Sequence, residues 1–224
     1  MAIGKDMMVV VLASGSPRRE ELLKVLGVSF EVVVPQVRED ARRDKGVRKL
    51  ALELAQMKAD SVASIRQGEV IVAADTLVVV SGQVMGKPGN ETEAWAMLDA
   101  LRGREHQVTT GLAVVDPSGR ASAVQAVETQ VWMRDYSDQE IADYIARGEA
   151  CDKAGGYAIQ DAEFHPADRI HGCYANVVGL PLCHLYLRLE KMGLFPAASP
   201  QRACEEYAGH QCVVASQVLG QPDH

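Results

Sequence analysis

The 224-residue chain has no excess of basic residues, no apolar run long enough for a bilayer and no paired-cysteine signature. Each absence closes off a class of function. Its 23 lysines and arginines are outnumbered by 30 aspartates and glutamates, for a formal net charge of −7. A broad nucleic-acid or anionic-membrane surface needs a basic face, so any anion bound here must be held locally. The longest apolar runs, near Val9–Ala13 and Val70–Val80, fall far short of the roughly 20 residues of a spanning helix, and Met1–Met8 contains Lys5 and Asp6 without an apolar signal region. A soluble, cytoplasmic protein is expected. The cysteines Cys151, Cys173, Cys183, Cys204 and Cys212 are odd in number and form no CxxC pair, which favours ordinary thiols over a disulfide framework or zinc site. The common phosphate loops are missing too: Gly86-Lys87 is followed by Pro88 instead of Ser or Thr, and no GxGxxG follows a strand. No internal repeat or low-complexity segment is present.

What the chain does have is enough apolar residue, 47%, for a real core in one domain or two closely joined lobes. Its pattern alternates strands with helices. Met8–Ala13 reads as a strand buried on both faces, followed by a helix with Ser16 at the N-cap, Pro17 at the first position and Gly27 as its stop. "SFEVVVP" reads as a second strand, and Val47–Ile65 as a long helix carrying Lys58. "EVIVAADTLVVVSGQVMGKP" reads as a strand pair turning at Ser81 and Gly82. A helix over Glu91–Leu101 capped by Thr92, strands His106–Val115 and Ala121–Met133 joined by "DPSG", and a helix capped by Ser137 or Asp138 come next. "YANVVGLPLCHLYLRLEKMG" reads as a short strand entering a last helix that stops at Gly193. The expected class is α/β. Composition changes after Phe195, so residues 1–195 are expected to form the working domain and 196–224 an appended extension, packed on a partner subunit or disordered.

Three stretches carry chemistry. In "LASGSPRREELL" a helix N-terminus, with its unpaired N–H groups and partial positive charge, meets Ser14, Ser16, Arg18 and Arg19, an anion site suited to a polyphosphate. The alternative is a capped helix with two solvated arginines. Asp75 interrupts the apolar run of residues 70–80, where a carboxylate is costly unless a cation, a metal or hydrogen-bond donors meet it. Lys58 and Lys87 are candidate cations, and Glu39 with Asp75 offers the oxygen ligands magnesium prefers, although Glu39 lies in a charged loop. In "DKAGGYAIQ", Gly155 and Gly156 permit close backbone approach to a ligand and Gln160 offers both donor and acceptor for a base edge; a plain turn is the other reading.

"LASGSPRREELL", "AADTLVVV" followed by "GKP", "DKAGGYAIQ" and "VVGLPL" together resemble the Maf family of nucleoside triphosphate pyrophosphatases, over about Val9 to Gly193. The resemblance implies a Maf/ITPase-like mixed sheet flanked by helices, two lobes around a substrate cleft and often a homodimer. It implies hydrolysis between the α and β phosphates to a monophosphate and pyrophosphate, with magnesium or manganese. Asp75 matches the proton acceptor near the metal, and Lys58, Lys87 and Glu39 match the other catalytic or metal-proximal positions. Ser14, Ser16, Arg18 and Arg19 match the phosphate-holding loop, while Arg18, Thr76 and Gln160 match positions tied to substrate choice. Gln160 points to the branch acting on dTTP and UTP, because the 7-methyl-GTP branch carries a glutamate in a related setting. Asp161 stands where that pattern usually has glycine. A 7-methyl-GTP or other non-standard nucleotide enzyme, or a nucleotide-binding regulator of cell division with low turnover, are the alternatives.

Overall fold

A computed structural model describes residues 9–37 and 46–220. The described residues form one mixed seven-stranded sheet with helices on both faces. Strands β1 (Val10–Ala13), β2 (Phe30–Val33), β3 (Val70–Val80), β4 (Gln83–Met85), β5 (Glu105–Val115), β6 (Ala121–Met133) and β7 (Ala167–His171) run in the order β2-β1-β3-β5-β6-β7, with β4 also on β3. β1 pairs parallel with β2 and β3, and the remaining pairings are antiparallel. The parallel pairs need crossovers, which α1 (Pro17–Val25) and α2 (Val47–Ala63) supply. The other helices are α3 (Glu91–Leu101), α4 (Asp138–Ala146), α5 (Tyr174–Val178), α6 (Leu182–Lys191), α7 (Pro200–Ala208) and α8 (Ala215–Leu219).

The alternation of side chains along β3 divides the core. Ile71, Ala73 and Leu77 face α2 and pack with Ala55, Ala59 and Leu54. On the opposite face, Val70, Val72 and Ala74 meet Leu22 and Leu23 of α1 and its C-cap Leu26, with α5 and α6, while farther along Val78 and Val80 meet Leu98 of α3 and Ile141 of α4. Two apolar clusters thus share one sheet face and separate near Thr76. The edge of β3 opens at the same place. There β1 pairs with residues 70–73 and β4 with residues 78–80, so among the described residues Ala74–Leu77 have no strand partner on that side. This gap is where the cleft lies.

The fold departs from the sequence expectations at four places. Tyr174–Val178 is a turn of helix, not a strand: Ala175 and Val178 point into the core at helical spacing, Asn176 donates to the Val108 carbonyl at 3.2 Å, and Gly179 ends the turn at φ 127°. β7 was not anticipated, because "ADRIH" is an edge strand whose exposed charges blur the apolar alternation. Asn90, not Thr92, caps α3, accepting from the Glu93 amide at 2.9 Å. The segment after 195 packs on its own chain: Ala198 donates to the Leu26 carbonyl at 3.2 Å, and Ala203 and Cys204 of α7 are buried in the α1–α5–α6 cluster. Of the two caps the sequence offers for α4, Ser137 is the one used, with a full capping box.

Candidate active site

A cavity of about 610 Å³ occupies the gap, a volume suited to a small-molecule substrate. Its lining gathers Ser14, Ser16, Arg18 and Arg19 from the β1–α1 junction, Lys58 from α2, Asp75 and Thr76 from β3, Lys87 after β4, and Gln160. The structure therefore brings together nine of the ten residues singled out from the sequence; Glu39 lies outside the described residues.

Asp75 is 6% exposed and accepts a hydrogen bond from Lys58 through Oδ1. Their meeting depends on a glycine. Asp75 stands opposite Gly111 in the β3–β5 register, and a Cβ at Gly111 would lie 2.1 Å from the Ala51 carbonyl oxygen. Only glycine lets α2 come so close to the sheet, and Lys58, two helical turns beyond Ala51, is thereby held over Asp75.

At the other wall, β1 ends and α1 begins within three residues. Ser16 occupies the N-cap position, but its side chain makes no capping hydrogen bond. Ser14 instead is the local organiser: its buried Oγ accepts from the Ser16 amide at 3.1 Å and from Arg19 Nη1 at 3.4 Å. Arg19 also donates from Nε to the Gly179 carbonyl at 2.8 Å and from Nη2 to Thr76 Oγ1 at 3.2 Å. Thr110 Oγ1 spends its proton on the Asn176 carbonyl at 2.9 Å, so in the 2.9 Å Thr76–Thr110 contact Thr76 is the donor. Arg19 is thus fixed at the Gly179 end of α5 and on β3, and the Ser14–Arg19 loop lines the same cleft as Asp75.

The third wall is "DKAGGYAIQ". The Gly155 amide donates to the Gly86 carbonyl at 3.0 Å, joining this loop to the "GKP" turn, and at φ 72° Gly155 passes so near Val78 that a Cβ would sit 3.1 Å from its Cγ1. Tyr157 also lines the cleft, its hydroxyl 2.7 Å from Nε2 of buried His106, whose pKa burial lowers to about 4. Asp152 and Lys153 also line the cleft, although the sequence pattern does not single them out. Their signal was present, since "DK" directly precedes the glycines, but loop charges ordinarily read as solvated. Asp152 Oδ2 accepts from Arg18 Nη1 at 3.4 Å. Burial raises the Asp152 carboxyl, but the Lys153 hydrogen bond and the charges of Lys153 and Arg18 outweigh it and hold the pKa below the usual range.

Residues 9–192 match the model of the family described as Maf-like protein. The chain belongs to the Maf family. Its relatives include the dTTP/UTP pyrophosphatase of Thermomicrobium roseum, 44% identical over 209 residues that cover 93% of this chain and 94% of that protein. The dTTP/UTP pyrophosphatase of Carboxydothermus hydrogenoformans is 45% identical over 83% of this chain and all of its own length, 100%. Among solved structures, a nucleoside-triphosphatase/dITP/XTP pyrophosphatase from Mycobacterium abscessus is 20% identical, with a TM-score of 0.37 over 58% of this chain and 76% of that one. In this Maf chain the cleft lining sets five cationic side chains, Arg18, Arg19, Lys58, Lys87 and Lys153, against the carboxylates of Asp75 and Asp152. A molecule acidic overall thus concentrates positive charge in this cleft.

Among the described residues no three His, Cys, Asp or Glu side chains gather as a metal cage. Magnesium seldom uses one; it takes one or two carboxylates and completes its shell with substrate phosphates and water. Asp75, with one oxygen on Lys58 and no hydrogen bond from the described residues to the other, fits that mode. No described helix is long and apolar enough to cross a membrane.

Proposed function

We propose that this Maf protein hydrolyses dTTP and UTP to the nucleoside monophosphate and pyrophosphate. The observation that carries the reading is the buried Asp75–Lys58 pair lining the same cleft, at the open edge of β3, as the Ser14–Arg19 loop. The loop binds the phosphate chain through the first-turn N–H groups of α1 and through Arg18. Asp75, oriented by Lys58, takes the proton of the attacking water. The water oxygen bonds to the α phosphorus in line with the breaking bond to the bridging oxygen, and pyrophosphate departs. A divalent cation, magnesium or manganese, held by Asp75 and phosphate oxygens, would neutralise charge on the leaving group. Gln160 reads the pyrimidine edge with its amide donor and acceptor. The same reading takes the chain as a cytoplasmic homodimer, which light scattering of the purified protein would test for its assembly.

The decisive experiment is pyrophosphate release with magnesium and then manganese across dTTP, UTP, CTP, 7-methyl-GTP, ITP and the common purine triphosphates, with monophosphate measured as co-product. Release concentrated on dTTP and UTP is expected. Release from 7-methyl-GTP instead would overturn the base assignment, and no release from any nucleotide would reduce the cleft to a binding site.

A further inference from the structure

Lys153 lines the cleft and looks like a phosphate ligand, but its ammonium is already committed. An ammonium has three donors, and all three are used: on the Glu149 carbonyl, on Glu149 Oε2 at 2.9 Å and on Asp152 Oδ1 at 2.6 Å. Its side chain is only 7% exposed, and the loop that carries it is tied down by Gly156 N to Lys153 O at 3.0 Å and by Gly155 N to Gly86 O at 3.0 Å. What Lys153 does is hold Asp152. With Oδ1 anchored, Oδ2 is presented across the cleft to Arg18, in the first turn of α1.

Building on the phosphate-binding role given to Arg18 above, we propose that Asp152 is an internal competitor for the substrate's phosphate chain. Its carboxylate restrains Arg18 before a triphosphate binds and must share or surrender that guanidinium afterwards. The competition follows from charge. Asp152 cannot swing away with Arg18, because Lys153 and the glycine loop fix it, and a carboxylate left beside phosphate oxygens repels them. Asp152 is a positioning residue that sets how many negative charges a ligand needs in order to win Arg18. Highly charged triphosphates are favoured over monophosphates, and product release is helped when Arg18 returns.

Asp152→Asn keeps an acceptor for Lys153 and removes the charge. Binding of inorganic tripolyphosphate to the full chain, followed by calorimetry, tests the pair without requiring turnover. An exposed ion pair has a modest free energy, so the variant should bind about two- to five-fold more tightly at low salt, with a smaller gain at high ionic strength. KM for dTTP should fall by the same factor, with the change carried in KM. In an Arg18→Ala background the gain should largely disappear. Unchanged or weaker tripolyphosphate binding in Asp152→Asn, a collapse of kcat, or a gain that survives intact without Arg18 would each overturn the assignment. If the wild-type chain binds tripolyphosphate as described but releases no pyrophosphate from any nucleotide, the proposed activity falls while the Asp152 assignment stands.

Discussion

Gly111→Ala should damage both the fold and the chemistry, although the residue touches no substrate. A Cβ there would sit 2.1 Å from the Ala51 carbonyl oxygen, 2.5 Å from its carbon and 3.0 Å from the Leu52 amide nitrogen. Ordinary contact begins near 3.4 Å, so α2 must retreat from β5 by roughly 1 Å or more, and no side chain can rotate out of the way because the obstacle is backbone. Overpacking of this kind costs about 1–3 kcal/mol, and the rigid partner puts the cost at the upper end. The retreat carries Lys58 away from Asp75. Misplacing a catalytic group by about 1 Å can cost about 100-fold in rate, so turnover should fall by that order in protein that remains folded. The assay is urea unfolding followed by circular dichroism, paired with dTTP turnover well below the unfolding midpoint. A variant within about 0.5 kcal/mol of wild type would refute the close-approach argument. A destabilised variant with normal turnover would show that Lys58 does not need its present seat over Asp75.

Three further outcomes are expected. Asp75→Asn should lower turnover by about 100- to 10,000-fold, the span of a lost general base, while circular dichroism shows the fold retained; near-normal rates would remove Asp75 from the chemistry. Deleting residues 196–224 strips Ala203, Cys204 and Ala215 from the core and uncovers the end of α1, so the shortened chain should lose at least ~3 kcal/mol of stability by urea titration, and an unchanged midpoint would make the extension dispensable. His106 is held neutral by burial, with its pKa near 4 against about 6.5 when unfolded. Below pH 6.5 the unfolded chain therefore takes up a proton the folded chain refuses, so stability falls with pH until about pH 4. The loss by pH 5 is about 2 kcal/mol, and His106→Gln should flatten that part of the profile. An equally steep profile in the variant would place the titration elsewhere.

Asp75 was legible because a carboxylate inside an apolar run contradicts its surroundings, and the Ser14–Arg19 loop because two hydroxyls and two guanidiniums gather at a helix start marked by Pro17. The regular elements were legible where pattern and punctuation agree, as at Ser137, Ser81-Gly82 and Asp116–Gly119. What stayed hidden depends on distance in space. Lys58 was a candidate by proximity in sequence, but its seat over Asp75 is set by Gly111, a glycine that reads as a weak point in a strand until a helix is seen lying on it. Tyr174–Val178 has strand composition and becomes a helical turn because Asn176, wholly buried, finds partners on β5 and β6 only in that form. Lys153 was passed over for a related reason: nothing in "CDKAGG" says that Glu149 folds back to saturate it.

The cleft thus separates charges that are fixed from charges that can respond. Lys58 and Lys153 have side chains only 12% and 7% exposed and are each bound to a carboxylate, so their contribution is a standing field and not a moving contact. Arg19 is held at three separate points, by Ser14, Thr76 and the Gly179 carbonyl. Arg18, with its single exposed-side acid partner, and the exposed Lys87 are the cations that can reorganise around a ligand. Preorganised dipoles and charges stabilise a developing charge without reorganising during the reaction, whereas mobile cations set affinity and release. Substitutions at Arg18 and Lys87 should therefore appear mainly in KM, and substitutions that disturb the Asp75–Lys58 seat mainly in kcat. Steady-state kinetics of Arg18→Ala and Lys58→Ala test that division, and a kcat-only effect at Arg18 would remove it.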